Sequence, residues 1–284
     1  MDTCKVAIIQ LCPKPNEIKD NHRRAISFIR EAATSGADLA VLPEYHLADF
    51  FPSHDPAIRQ QCANWKHYLD AYCDLAKECN ICIVPGSLGE LHDHNTLVNA
   101  AYFIDNNGEI KGKYEKKNLW HPERPFVKSS KNDSRHIAFD TPLGKVGMLI
   151  CWDLAFPEAF RELIMQGAKI IIVPAFWRYS DASDLGLKHN PKSEGAFLDA
   201  AVVSRAFENT CAVLFCNVAG PASEGFAGLS QVAMPFLGCV DKIDNSDEGM
   251  RIISLDMNIL EEAEVAYKIR EDMATPDWHY GYRQ

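Results

Sequence analysis

KVGMLICWDLAFPEAFRELIMQGAKIIIVP, residues 145–174, reads as a strand, a sharp turn, a helix and a second strand. The apolar run after Lys145 ends at Cys151, Pro157 falls in the first helical turn, where a missing N–H costs nothing, and Gly167 supplies the stop before AKIIIVP. Upstream, HIAFDTPLG pairs with the first of these strands through a turn at Thr141-Pro142-Leu143-Gly144. The same alternation extends in both directions. Toward the N-terminus, VAIIQ (6–10) is a strand, residues 17–35 carry apolar positions at three- and four-residue spacing between a possible Asn16 cap and Gly36, and DLAVLPE (38–44) is the next strand. A helix over 57–79 leads into the strand ICIVPGSL, and LVNAAYFID is closed by Asn106-Asn107-Gly108, a hairpin signal. Toward the C-terminus, a helix over 193–208 precedes the strand TCAVLFCNVAG, and GLSQVAMPF and GMRIISLDM are expected to pair with each other. Residues 176–192 are polar and read as a long irregular loop of the kind that carries function. Interleaved helices with hairpins imply an α/β fold with a mixed sheet, or two sheets with helices outside.

Composition narrows the class. The 284 residues are 47% hydrophobic and 24% charged, which excludes disordered and collagenous chains. Lys and Arg number 29 against 39 Asp and Glu, a net charge of −10 that disfavours a nucleic-acid partner. No apolar run approaches the ~20 residues of a membrane helix, and MDTCKVAIIQ lacks the build of a targeting signal, so a cytoplasmic protein without a membrane partner is expected. The ten cysteines are scattered through apolar segments, as reduced buried thiols would be. With no linker, composition shift or repeat, one domain over residues 1–284 is expected.

Three chemically capable residues end or follow strands: Glu44 closes DLAVLPE, Lys116 follows the hairpin in KYEKKNL, and Cys151 closes KVGMLIC. Ligand crevices form at such strand ends. Singly, each has a bland reading: a buried thiol, a cap, a solvated lysine. Together they form a hydrolytic set, with a sulfur nucleophile, a carboxylate to move its proton and an ammonium for the oxyanion. Beside Lys116 and a helix start near Pro157, the thiol pKa of Cys151 is expected to fall.

LPEY (42–45), YEKKNL (114–119) and GMLICWDLAFPEAFRELIMQGAKIIIVPAFW (147–177) resemble the three signature segments of the nitrilase, or carbon-nitrogen hydrolase, superfamily. Their order and spacing (116 − 44 = 72 and 151 − 116 = 35) agree with it, over a stretch from Val6 to about Phe236. The resemblance implies a four-layer α-β-β-α sandwich of the nitrilase type, an enzyme without metal or cofactor, and homodimers or larger homo-oligomers, with a tail from about 256 to 284 in oligomer contacts. It assigns Glu44 as general base, Lys116 as the oxyanion lysine and Cys151 as nucleophile. Lys117 falls out of register with the family's aromatic-x-Lys-x-x-Leu pattern, which Tyr114, Lys116 and Leu119 fill. It further suggests Glu123 as a second, substrate-positioning glutamate, the Trp152 N–H as an oxyanion donor, and Phe176 and Trp177 as pocket walls.

Substrate choice is less legible. Relatives acting on carboxylate-bearing amides carry Arg four residues after the cysteine, where this chain has Ala155; Arg178 and Lys188 are substitute cations. Cys151-Trp152-Asp153, in place of the Cys-Trp-Glu of authentic nitrilases, leans toward a small amide or N-carbamoyl compound cleaved through a thioester. The alternatives are nitrile hydrolysis by the same residues, acyl transfer to an amine, and a non-catalytic nitrilase-like binding protein. A zinc reading of Cys79-x-x-Cys82 with His92-x-His94 is weak, and the Gly-x-Ser-x-Gly pattern of a serine hydrolase is missing.

Overall fold

A computed structural model describes residues 2–48, 56–92, 96–130, 135–278 and 280. In chain order the elements are β1 (Thr3–Gln10), α1 (Ile18–Thr34), β2 (Leu39–Val41), α2 (Pro56–Ala63), α3 (Trp65–Cys79), β3 (Cys82–Val84), β4 (Ser87–His92), β5 (Thr96–Ile104) and β6 (Ile110–Glu115). There follow β7 (Phe139–Thr141), β8 (Gly144–Met148), a 3-10 turn at Cys151–Ala155, α4 (Pro157–Ile164), β9 (Ile170–Pro174), a 3-10 turn at Tyr179–Ala182, α5 (Ser183–His189), α6 (Ser193–Glu208) and β10 (Ala212–Cys216). After a 3-10 turn at Ala222–Glu224 come β11 (Gln231–Met234), β12 (Gly238–Lys242), β13 (Gly249–Asp256), α7 (Asn258–Tyr267) and α8 (Ile269–Ala274).

The strands form two mixed sheets, one ordered β13-β1-β2-β3-β5-β4 with β6 also on β5, the other β12-β11-β10-β9-β8-β7. Period-two alternation sorts the first sheet's side chains between two cores. Val6, Ile8, Leu39 and Val41 face the second sheet and share a cluster with Val146, Met148 and Ile172. Their neighbours Ala7, Ile9, Ala40 and Leu42 face outward onto Ala25 and Ile29 of α1 and Leu69, Tyr72 and Leu75 of α3. On the far side, Phe160 and Leu163 of α4 and Leu198 and Val202 of α6 cover the second sheet. The order helix, sheet, sheet, helix is the sandwich expected from the sequence.

Four local expectations are corrected. GLSQVAMPF and GMRIISLDM do not pair: β11 lies between β10 and β12, while β13 runs antiparallel to β1 from Thr3↔Asp256 to Gln10↔Gly249. The true hairpin partner of β11, Gly238–Lys242, has no buried residue and so no apolar alternation to reveal it. Residues 176–192 are not an irregular loop, since they include the 3-10 turn and α5; neither has a buried residue, so neither shows an apolar stripe. The helix expected over 57–79 is interrupted at Asn64, whose φ of −95° and ψ of 15° separate α2 from α3. Asn16 does not cap α1, as its own φ is 60°; the Asn21 carboxamide instead bonds both the N–H and the C=O of Lys14. Gly36 ends that helix as expected, at φ +79°.

ICIVPGSL is two strands broken at Pro85-Gly86, and the break packs against the segment that carries Glu44. Gly86 has φ +62°, and a Cβ there would sit 1.8 Å from the Pro43 carbonyl oxygen, so only glycine lets this turn pack under the Pro43-Glu44 bend. The C-terminal helices dock on their own chain: Leu260 and Met273 join the main core, and the Arg270 guanidinium donates to the carbonyls of Ile164, Ala168, Asn209 and Thr210. All ten cysteines are free, and among the described residues no helix is long and apolar enough to cross a membrane.

Candidate active site

The C-terminal ends of β2, β6 and β8 converge, and with them Glu44, Lys116 and Cys151. Two of these turns use strained backbone: Cys151 has φ 48° and Tyr45, next to Glu44, has φ 51°. A non-glycine residue in the left-handed region costs energy that surrounding packing must supply. It aims the Cys151 side chain out of the strand line.

The Lys116 ammonium, 2% exposed, lies between two buried carboxylates, donating to Glu44 Oε1 at 2.9 Å and to Glu123 Oε2 at 2.6 Å. Glu44 is held at every corner. Its Oε1 also accepts from Asn99 Nδ2 at 2.7 Å, and its Oε2 accepts the Phe176 N–H at 2.9 Å. Glu123 is held by the Tyr45 hydroxyl at 2.8 Å and the Trp120 N–H at 2.9 Å. Cys151 Sγ contacts the Phe176 carbonyl at 3.8 Å. One residue, Phe176, therefore holds the carboxylate with its N–H and the sulfur with its C=O.

Electrostatics follow from two carboxylates sharing one cation out of water. Burial, with the like charge of Glu123, raises the Glu44 carboxyl above the ordinary glutamate value of 4.5, against the opposing pull of Lys116. For Lys116 burial pulls downward, but Glu44, Glu123 and the nearby sulfur outweigh it and hold the ammonium above its ordinary value. The expectation of a lowered thiol pKa is corrected: burial first, then Glu44 and Glu123, push the Cys151 thiol well above 9, and Lys116 only partly offsets them. The resemblance named Glu44, Lys116 and Glu123, but only the fold shows that both carboxylates close on the same ammonium.

Asp153 joins the Cys151 turn to the Lys116 segment. Its Oδ2 accepts from the Ile150 N–H at 2.9 Å and the Tyr114 hydroxyl at 2.8 Å, and its Oδ1 from the Asn118 N–H and side-chain amide at 3.1 and 2.8 Å. Lys117 lies away from this group, its N–H donating to the Tyr114 hydroxyl at 3.2 Å. In front of Cys151 opens a cavity of about 520 Å³, walled by Trp120, Trp152, Phe176 and Trp177. The Trp152 N–H sits in the first turn of the 3-10 segment, where backbone donors lack an internal acceptor. Neither Arg178 nor Lys188 lines the cavity; the Arg178 guanidinium lies over the Phe176 and Phe226 rings at 4.8 and 4.3 Å. Cys79 and Cys82 take no part, His92 pairs with Glu90 at 2.8 Å, and His94 lies outside the described residues. Among the described residues no group of three or more His, Cys, Asp or Glu could hold a metal.

Sequence reasoning missed Asn99 and Tyr45 and took Phe176 only for a ring. Asn99 left a signal, a lone amide inside the apolar run LVNAAYFI, since a buried polar group needs a partner. Tyr45 left none.

A thiol at the wall of a cavity, with a paired carboxylate and a buried ammonium beside it on this sandwich, defines an α/β enzyme pocket. The sequence profile of the carbon-nitrogen hydrolases matches residues 5–264, and the chain belongs to that family. A probable nitrilase of Schizosaccharomyces pombe is 27% identical over 259 residues, covering 89% of each chain. Human omega-amidase NIT2 is 34% identical over 186 residues, covering 61% of this chain and 64% of its own. The crystal structure of a carbon-nitrogen hydrolase from Helicobacter pylori superposes with a TM-score of 0.85 at 19% identity, covering 95% of both chains.

Proposed function

We propose that this carbon-nitrogen hydrolase cleaves a small amide or N-carbamoyl compound through a Cys151 thioester. The observation that carries the reading is the Lys116 ammonium clamped between Glu44 and Glu123 beside the cavity that reaches Cys151. An ammonium has three protons; two are committed to the carboxylates, and the third is free for an oxygen arriving between Lys116 and the sulfur. As Sγ bonds to the substrate carbonyl carbon, the thiol proton passes to Glu44, and Lys116 with the Trp152 N–H stabilises the oxyanion. Collapse breaks the C–N bond, the nitrogen leaves with the proton from Glu44, and the thioester remains. Glu44 then takes a proton from water as it attacks the thioester, and returning that proton to sulfur restores the thiol. The relatives carry both names, amidase and nitrilase, so the choice of amide rests on the sequence beside Cys151.

A panel of small amides, N-carbamoyl compounds and nitriles, assayed for released ammonia, tests the proposal, with mass spectrometry of the quenched enzyme to find the acyl group. Turnover of amides with mass added at Cys151 is expected; turnover of nitriles alone, or an acyl group on another residue, would overturn it.

The raised Glu44 carboxyl sets a pH dependence. A base must be ionised to act, so kcat/KM rises with pH through the Glu44 titration, and the acid limb is expected above the ordinary glutamate value of 4.5. An acid limb at or below that value contradicts a desolvated Glu44 base.

A further inference from the structure

We propose that Asn99 is a positioning residue for Glu44: its side-chain amide occupies one oxygen of the carboxylate, keeps the group ionised and leaves the other oxygen to carry the proton; this rests on the reading of Glu44 as the base. Asn99 lies on β5, on the face it shares with Ala101 and Phe103, which look across to the second sheet, and it is 1% exposed. A carboxylate oxygen can only accept, so the atom 2.7 Å from Glu44 Oε1 is the amide nitrogen, donating its N–H. With the Lys116 ammonium at 2.9 Å, both lone-pair sites of Oε1 are filled. Oε2 takes the Phe176 N–H at 2.9 Å and keeps a site for a proton. The base is therefore one defined oxygen.

The other half of the amide shows that this side chain does not serve the fold. Asn99 Oδ1 is buried without a hydrogen-bond partner among the described residues, and an orphaned buried acceptor costs stability. The strand needs only the Asn99 carbonyl, which accepts the Lys116 N–H at 2.9 Å and which any residue would offer. An apolar side chain on this face would avoid that cost and would give up the donor to Glu44. The donor matters because burial raises the Glu44 carboxyl above 4.5, with Lys116 opposing and Glu123 adding. A hydrogen bond to the charged form works alongside Lys116. The remaining titratable groups around Glu44 are Cys151, Tyr45, which donates to Glu123, and Asp181, on whose carboxyl the Glu44 charge acts. None of them changes in an Asn99 variant.

Asn99→Ala removes the donor and the orphaned acceptor together, and Asn99→Leu does so with little change of volume. In both, the acid limb of kcat/KM is expected to move up by about one pH unit, a deficit of about tenfold below the limb that shrinks as pH rises toward the plateau. A merely structural asparagine would lower the plateau or the urea midpoint and leave the limb in place. That result overturns the inference and leaves amide hydrolysis by Glu44 standing, as does a failure of both variants to fold. The same titration is read without turnover by carbon-13 NMR of the Cys151→Ala protein labelled at glutamate, the Glu44 resonance being the one lost in Glu44→Gln. A midpoint raised by Asn99→Ala supports the inference, and an unmoved midpoint overturns it. If the wild type releases ammonia from no amide, the amidase reading fails, and the NMR midpoint still decides the role of Asn99.

Discussion

Cys151→Ala is expected to lower amide turnover by roughly 10⁴-fold or more, because it removes the atom that forms the thioester and leaves only oxyanion stabilisation and binding. The size of the loss is the diagnostic feature. Glu44, Lys116 and Glu123 stay paired in this variant, so a water-attack mechanism using Glu44 alone would retain most of the rate. The substitution is small and buried, the side chain being tied to the fold chiefly through the Phe176 carbonyl, and the protein should fold. The backbone gives a second, independent measurement. Because residue 151 sits at φ 48°, Cys151→Gly should be at least as stable as Cys151→Ala, by about 1 kcal/mol in urea unfolding. The reverse order would show that the left-handed turn stores no strain.

Lys116→Met is expected to cost on the order of 3 kcal/mol of transition-state stabilisation, about two orders of magnitude in kcat/KM, and a further ~3–5 kcal/mol of folding stability. Activity falls because the oxyanion loses its ammonium. Stability falls because Glu44 and Glu123, both about 1% exposed at the side chain, are left facing each other without a cation. The sign of the pH dependence follows from linkage. In the variant Glu44, already raised in the wild type, loses the opposing pull of Lys116, so the native state binds a proton that the unfolded state releases, and stability falls as pH rises through the ordinary carboxylate range. The deficit against wild type should therefore be smaller near about pH 5 than near about pH 8 in urea titrations. Adding Glu123→Gln to Lys116→Met removes one of the opposed charges and should recover much of the stability but none of the activity. A deficit independent of pH would mean that the ammonium matters for packing and not for charge.

The residues whose convergence these experiments probe were legible because each ends a strand in a short distinctive segment, and strand ends are where this kind of fold gathers side chains. Glu123 came from the family resemblance alone, and the structure brings it within 2.6 Å of Lys116. What surrounds them was less so. Asn99 reads as one amide among apolar neighbours, and its use by Glu44 emerges only once β5 lies beside β6 and carries Lys116 N–H to the Asn99 carbonyl. Phe176 acts through its peptide group, which every residue possesses, so its side-chain identity holds no clue. The raised Cys151 thiol was misjudged for a related reason: a lysine nearby in sequence terms says nothing of how many carboxylates will also claim it.

By itself the sequence determined the local elements and the chemistry on offer, since period-two and three-to-four-residue apolar spacing, the Asn-Gly turn and the placement of Pro157 and Gly167 act over a few residues. Tertiary structure alone decided that β13 closes the sheet against β1, that 176–192 winds into α5, that the backbone of one residue binds both acid and sulfur, and that Asp181 and Glu194 line the far wall of the cavity. The physical reason is common to all four. Strand pairing, burial and charge balance depend on which distant segments share a space, and that is set by the summed packing of the chain rather than by any window along it.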